Sequence, residues 1–139
     1  MNTASRRLLG ILSLATLLVL VAGCIAFRPD SYSATEAFKK QALALMAEAG
    51  KPASDHVIEI ATVRRDLDQR LADERARPGN EQIVAMWTIL ADPQRDLLAG
   101  YLQTWEARGT LSPALIAGKQ DQVARALDKI LVLEKSKPQ

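Results

Sequence analysis

The chain has 139 residues, of which 48% are hydrophobic and 24% charged, with one cysteine and one histidine. That length is sufficient for a single globular domain of ordinary composition. One cysteine excludes an internal disulfide, and one cysteine with one histidine argues against a zinc site. We find no catalytic motif and no cofactor-binding pattern, so no cofactor is expected.

The first 24 residues have the three parts of a secretion signal. Arg6 and Arg7 give a basic start without an acid, and an apolar run follows at 8–21. Small residues then lead to the only cysteine, Cys24. A basic start, a short apolar core and a small-residue exit are typical of a signal peptide.

The exit of this segment resembles the lipobox of bacterial lipoproteins, with Val21, Ala22 and Gly23 directly before Cys24. The resemblance implies that lipid is transferred to the Cys24 sulfur and that residues 1–23 are removed as a signal peptide. It also implies acylation of the new N-terminus. Ile25 stands where an aspartate would imply inner-membrane retention. The resemblance therefore implies a lipoprotein at the periplasmic face of the outer membrane.

An uncleaved signal anchor is the alternative interpretation of the same segment. Residues 8–27 carry no charge and are about as long as the ~20 residues that a helix needs to span a bilayer. Arg6 and Arg7 would then lie on the cytoplasmic side. Both interpretations tie the folded domain to a membrane and place it outside the cytoplasm.

Maturation would change the charge of the protein. Loss of residues 1–23 removes two basic side chains and no acid, which leaves equal numbers of basic and acidic side chains. The basic character of the chain therefore belongs to its signal segment. A neutral domain outside the cytoplasm gives no reason to expect a nucleic-acid partner.

The mature chain is predicted to be helical between a short tether and a frayed tail. Ser33 followed three residues later by Glu36 is a capping-box pattern, which predicts that the first helix begins there. Amphipathic segments follow, each bounded by start and stop signals, and none alternates with period two. The sequence predicts an all-α fold, a compact antiparallel bundle of four to five helices. The predicted ranges are 24–33 for the lipidated cysteine and tether, 34–135 for the bundle and 136–139 for the frayed C-terminus.

The individual helices are predicted at about 33–49, 54–77, 81–91, 93–108 and 113–135. Asn80, Asp92 and Ser112 are the predicted caps of the last three. We expect the third and fourth helices to share one column, broken at Asp92 and Pro93. Gly100 lies inside the fourth helix, where glycine costs about 1 kcal/mol relative to alanine. Its presence predicts that another backbone approaches closely.

Catalytic chemistry has little support in the sequence. His56 lies at the start of the second helix, where the helix dipole disfavours a charged imidazole. Acids that could pair for catalysis, such as Asp66 and Glu74, stand among arginines. Arginine neighbours lower the pKa of a carboxyl group and favour ion pairing over general acid catalysis. We therefore predict that the protein is not an enzyme.

Two sets of residues are candidate binding sites. Trp87, Tyr101 and Trp105 lie in consecutive helices and either line a ligand pocket or fill the core. Arg64, Asp68 and Arg70 belong to the densely charged second helix, which is either a solvated face or a docking surface for a charged partner.

The sequence thus leaves two functional hypotheses. The first is a non-catalytic, lipid-anchored interaction module that binds a periplasmic or outer-membrane protein. The alternative is a helical bundle that binds a small molecule or lipid in an aromatic-lined pocket. The segment from Trp87 to Pro113 resembles small uncharacterised helical lipoproteins of bacteria, a resemblance that implies no catalytic residue.

Overall fold

A computed structural model describes residues 26–139. Within this range the protein is an all-α bundle of five helices without a strand, which confirms the predicted fold class. The signal segment, the lipobox residues Val21, Ala22 and Gly23, and Cys24 lie outside the described residues. The helices are α1 at Pro29–Ala47, α2 at Val57–Arg75, α3 at Glu81–Ala91, α4 at Leu98–Arg108 and α5 at Pro113–Lys135.

Four of the helices enclose the core. α1 packs against α2 and α5, and α3 packs against α2 and α5, so that each of the four has two neighbours. We call the end where α1 and α3 begin and α2 and α5 end the proximal end. The opposite end, where α1 ends and α2 and α5 begin, is the distal end. No helix within residues 26–139 is both long and apolar enough to cross a membrane.

The core consists of the apolar stripes that the sequence predicts. Phe38, Ala42 and Leu45 on α1 are at most 7% exposed, and the stripes of the other helices are buried in the same way. The Phe38 ring meets Trp87 edge to face, with 5.4 Å between ring centroids. Spacings of three and four residues place these side chains on one face of each helix, which then has to be covered by its neighbours.

The first helix begins at Pro29, so the predicted start at Ser33 is wrong. Pro29 occupies the first helical position, where its fixed φ suits the helix and its missing N–H is not needed. The Ser33 hydroxyl does not cap the helix but donates to the carbonyl of Pro29, at 2.8 Å. The predicted tether at 24–33 therefore overlaps the first turn of α1, and the chain enters the bundle earlier than expected.

The fourth helix begins at Leu98 rather than after Asp92. The Asp92 side chain accepts from the amide of Gln94 at 2.9 Å and holds a turn, not a helix start. This turn folds back on Gly100, where a Cβ atom would lie 2.1 Å from the carbonyl oxygen of Arg95. The predicted close approach of a backbone at Gly100 is confirmed.

Helix α4 closes the distal end of the bundle instead of continuing α3 as one column. It contacts α3 and the short 3₁₀ turn at Ala53–His56 that precedes α2. The Tyr101 hydroxyl donates to the carbonyl of Met46 at 2.8 Å. The Trp105 indole N–H donates to the carbonyl of Lys51 at 3.0 Å. Both acceptors belong to the segment where α1 ends.

The other predicted boundaries hold in part. Ser112 caps α5 through its side chain, as predicted, with Pro113 at the first helical position. Ser54 does not begin a helix directly, because a 3₁₀ turn precedes Val57, and α2 ends at Arg75. Asn80 stands at the N-cap of α3 but makes no capping hydrogen bond.

Candidate functional site

A buried network of charged and polar side chains lies at the proximal end. Its centre is Arg77, which contacts Glu74 Oε2 and Glu134 Oε1, each at 2.8 Å. Glu74 and Glu134 are only 4% and 3% exposed. Ser31 on α1 donates to Glu74 Oε1 at 2.6 Å and accepts from Arg77 at 3.0 Å. One arginine thus joins α1, α2 and α5.

Two C-terminal residues complete this network: α5 ends at Lys135 as predicted, but Lys137 and Pro138 beyond it are held by hydrogen bonds. Lys137 Nζ lies 2.6 Å from Glu134 Oε2 and 2.6 Å from Asn80 Oδ1. Asn80 also donates to the Glu74 carboxylate, which explains why its side chain does not cap α3. The amide of Phe27 donates to the carbonyl of Pro138 at 2.9 Å.

The electrostatics of the network favour stable ion pairs. Burial alone would raise the pKa of Glu134, but hydrogen bonds from Arg77, Lys137 and the amide of Arg28 outweigh it and hold that pKa below its ordinary value. Burial also acts against the charge of Arg77, and its contacts with the two glutamates still raise its pKa. Two cations and two anions balance, as buried charges require. These carboxylates are occupied by cations and do not have the environment of a general acid.

Sequence reasoning missed this network, although a signal was present. Glu74 continues the apolar stripe of α2 after Leu67 and Leu71, and Glu134 continues the stripe of α5 after Leu127 and Ile130. An acid at a core position indicates a buried partner, since a buried charge needs one. The density of charge along α2 instead suggests one continuous charged surface.

The aromatic candidates Trp87, Tyr101 and Trp105 fill the core and do not form the possible pocket. Each is at most 2% exposed, and none borders the surface clefts. The polar atoms of Tyr101 and Trp105 bind backbone carbonyls at the end of α1. Trp87 Nε1 is buried without a hydrogen-bond partner among the described residues. The geometry therefore gives no support to an aromatic-lined ligand pocket.

The residues of the possible partner face, Arg64, Asp68 and Arg70, do not act as one charged patch. Arg64 forms a two-pronged ion pair with Glu106 on α4, at 2.8 and 2.5 Å. Arg64 and Asp68 both line a cleft of about 390 Å³ between α2 and α4, and Asp68 is exposed there. Arg70 is half-buried and forms no ion pair within residues 26–139. Arg64 on α2 is thus ion-paired with α4.

A cleft between α1 and α2 at the distal end has a different character. This α1–α2 groove has a volume of about 430 Å³, and its apolar lining includes Ala44, Leu45, Ile58 and Val63. His56 also lines it, with its ring 5.3 Å from the buried ring of Trp105. His56 Nε2 is buried and finds no hydrogen-bond partner among the described residues. The His56 ring therefore forms part of the wall of the groove, which Glu48 and Glu59 also line.

Two large aliphatic side chains beside this groove are exposed to solvent. Ile58 is 80% exposed and Val57 is 62% exposed, although both lie in the first turn of α2. Side chains of this size gain about 1.5–3 kcal/mol when they are fully buried. An adjacent exposed pair next to an apolar cleft is a common feature of protein-binding surfaces.

The rim of the α1–α2 groove is acidic. Glu59 lines it, and Asp55 is exposed in the preceding turn. Glu48 lines the other side, where it is ion-paired with Lys51, whose hydrogen bond holds the pKa of Glu48 below its ordinary value. An apolar floor with an acidic rim suits an apolar segment that also carries basic side chains.

Comparison with known proteins identifies no relative. No family profile, no curated protein and no solved structure matches this chain. Within residues 26–139, no group of three or more histidine, cysteine, aspartate and glutamate side chains is arranged to hold a metal ion.

Proposed function

We propose that this protein is a non-catalytic interaction module, attached to the bacterial envelope through lipid on Cys24, with its domain at the periplasmic face of the outer membrane. It binds a periplasmic or outer-membrane protein and needs no cofactor. The resemblance of residues 21–24 to a lipobox supports the attachment. The neutral charge of the mature chain supports a protein rather than a nucleic acid as the partner.

The observation that carries the binding role is the exposure of Ile58 and Val57 beside the α1–α2 groove. The apolar stripe of α2 is buried, whereas these two neighbouring side chains are exposed to water in the first turn of the same helix. We assign the groove to an apolar segment of the partner flanked by lysine or arginine. Ile58 would supply the apolar contact, and Glu59 would receive a basic group.

The buried acids support the non-catalytic part of the proposal. Glu74 and Glu134 are held by Arg77 and Lys137, and His56 Nε2 has no hydrogen-bond partner among the described residues. A catalytic group needs a reachable partner and a suitable pKa. The groove instead offers shape, apolar surface and charge, which are properties of a binding site.

The test is to compare Ile58→Asp with Ile89→Asp in the intact protein extracted gently from its own membrane. Ile89 is the control, since it is another aliphatic residue on a helix, is 37% exposed and borders neither the α1–α2 groove nor the cleft between α1 and α5. Native mass spectrometry measures the bound protein and, in the same spectrum, the mass added at Cys24. Loss of a central apolar contact weakens binding by about 30-fold or more. We expect Ile58→Asp to lose a stoichiometric partner that Ile89→Asp retains.

Three results would contradict this assignment. The partner could remain bound to Ile58→Asp, or both variants could lose it equally. The third result is that Arg70→Glu alone abolishes binding, which would make the charged surface of α2 the docking site. Cross-linked peptides identify the contact region, and a segment without apolar residues would also contradict the proposed chemistry.

A further inference from the structure

A second groove, between α1 and α5, begins at the proximal end and runs along the side of the bundle. This α1–α5 groove has a volume of about 500 Å³, and its lining includes Tyr32, Lys40, Leu43, Val132 and Lys135. Leu43, Leu131 and Val132 give it apolar lining, and three lysines and two acids, Glu36 and Asp128, complete the lining. The groove therefore combines apolar surface with an excess of one positive charge.

The described chain begins beside this groove. Phe27 packs against Tyr32, with 6.0 Å between ring centroids, and its amide is fixed to Pro138. Cys24 lies three residues before Phe27, so that their Cα atoms are at most about 11 Å apart. Because α1 already begins at Pro29, the segment after Cys24 is too short to lift the domain away from its attachment point.

The side chains around the groove are of the type found at a lipid surface. Val132 is 67% exposed. Lys40 and Lys135 are exposed and form no ion pair with any other described residue, whereas the nearby Lys39 is paired with Asp128. Lysines beside apolar surface keep their charge among the headgroups while their stems lie against acyl chains. Aromatic rings such as those of Phe27 and Tyr32 favour the same interfacial zone.

We propose that the α1–α5 groove lies on the phospholipid surface, with Lys40 and Lys135 at the phosphates of anionic lipids and Val132 among the upper acyl chains. This inference rests on the membrane attachment in the proposed function. The bundle then lies with its α1–α5 side on the membrane and its α2–α3 side away from it. The α1–α2 groove remains accessible to a protein partner at the distal end.

Two features favour a membrane over a protein as the occupant of the groove. They are the short segment between Cys24 and Phe27 and the lysines that line the groove. A segment of at most about 11 Å holds the proximal end next to the headgroups, whatever else the protein binds. Each lysine near an anionic lipid surface strengthens binding to that surface roughly fivefold. A protein would have to enter the same narrow space between the domain and the bilayer.

The experiment places a tryptophan at either exposed position, Val132→Trp or Ile58→Trp, in the intact membrane-attached protein. Both native tryptophans are fully buried, so they give the same background in the two variants. The protein is reconstituted into vesicles of phosphatidylcholine and phosphatidylglycerol that contain acyl-chain-brominated lipid, which quenches nearby tryptophan. We expect quenching to be several-fold stronger at position 132 than at position 58. Lys40→Glu with Lys135→Glu is expected to abolish this difference.

Vesicle flotation and circular dichroism separate the possible failures. A protein that is folded but does not float lacks the attachment, which overturns the proposed function and this inference with it. A protein that floats but is quenched equally at both positions overturns the inference alone. Selective cross-linking of position 132 to a protein in the native membrane would also overturn it, because the groove would then be a protein interface.

Discussion

The proximal and distal ends of the bundle are closed by different chemistry. At the proximal end, Arg77 and Lys137 neutralise two buried glutamates, and the network fixes both termini of the described chain. At the distal end, Tyr101 and Trp105 fill the space and bind backbone carbonyls with their polar atoms.

The two ends present different surfaces. The ionic network is specific in geometry and leaves little of its own surface exposed, because each charge is directed at another. The aromatic end packs tightly inside and leaves Val57 and Ile58 outside. In the proposed function, the proximal end would hold the domain at its attachment and the distal end would receive a partner.

Removal of Glu134 should have the largest effect and break the proximal end. Glu134→Ala leaves Arg77 and Lys137 buried without their shared carboxylate, which typically destabilises a protein by about 3–5 kcal/mol. Urea denaturation measures the free energy of unfolding. The control is Asp128→Ala, which breaks an exposed pair with Lys39 and should cost less than about 1 kcal/mol. Equal effects of the two changes would mean that the proximal network does not stabilise the fold.

Acid should weaken the proximal end through the same residue. The pKa of Glu134 is below its ordinary value of 4.5 in the folded protein, so its stabilising effect is complete above that value. It is lost as the pH falls below 4.5 toward the lower folded-state pKa. We expect the stability difference between the wild type and Glu134→Gln to shrink in that pH range. A difference that stays constant down to strongly acidic pH would contradict the assigned pKa direction.

The distal end should respond more weakly to the loss of a single polar contact. Tyr101→Phe removes the hydrogen bond to Met46 and should cost about 1 kcal/mol in unfolding free energy. Burial raises the pKa of Tyr101 to about 12, so the hydroxyl remains a donor at neutral pH and the cost should not change between pH 6 and 8. Tyr32→Phe is the matched control, because its hydroxyl forms no hydrogen bond with the described residues. A Tyr101→Phe protein as stable as the control would show that packing alone closes this end.

The smallest effect is expected at the ion pair of Arg64 and Glu106, which joins α2 to α4. Both side chains are about 40% exposed, so Arg64→Ala should cost roughly 0.2–1 kcal/mol. A double-mutant cycle with Glu106→Ala isolates the coupling energy of the pair. A coupling energy above about 2 kcal/mol would mean that α4 is held by this pair rather than by its buried aromatic side chains.

The sequence predicts the elements of this fold better than their junctions. The spacing of Phe38, Ala42 and Leu45 defines the buried face of α1, and Ser112 with Pro113 marks the start of α5. Such signals are local, because a helix face or a cap is specified within a few residues. The close approach at Gly100 was also predictable, because a glycine inside a helix is costly without a structural reason.

Features that depend on distant residues could not be predicted in this way. The start of α1 at Pro29 is supported by the amide of Arg28, which donates to Glu134 at 3.1 Å, more than a hundred residues away. The capping-box pattern at Ser33 is equally good locally and is not used. Spacing also cannot tell a core aromatic residue from one that lines a pocket, and that distinction decides the role of Trp87 and Trp105.

The most direct test of the assigned roles is site-specific photo-cross-linking in the native membrane, with the cross-linker at position 58 or position 132. The two sites are matched in exposure and lie on different grooves. We predict a discrete protein adduct from position 58 and a lipid adduct from position 132. Lipid at position 58 together with protein at position 132 would contradict the account, since the two surfaces would then have the opposite roles.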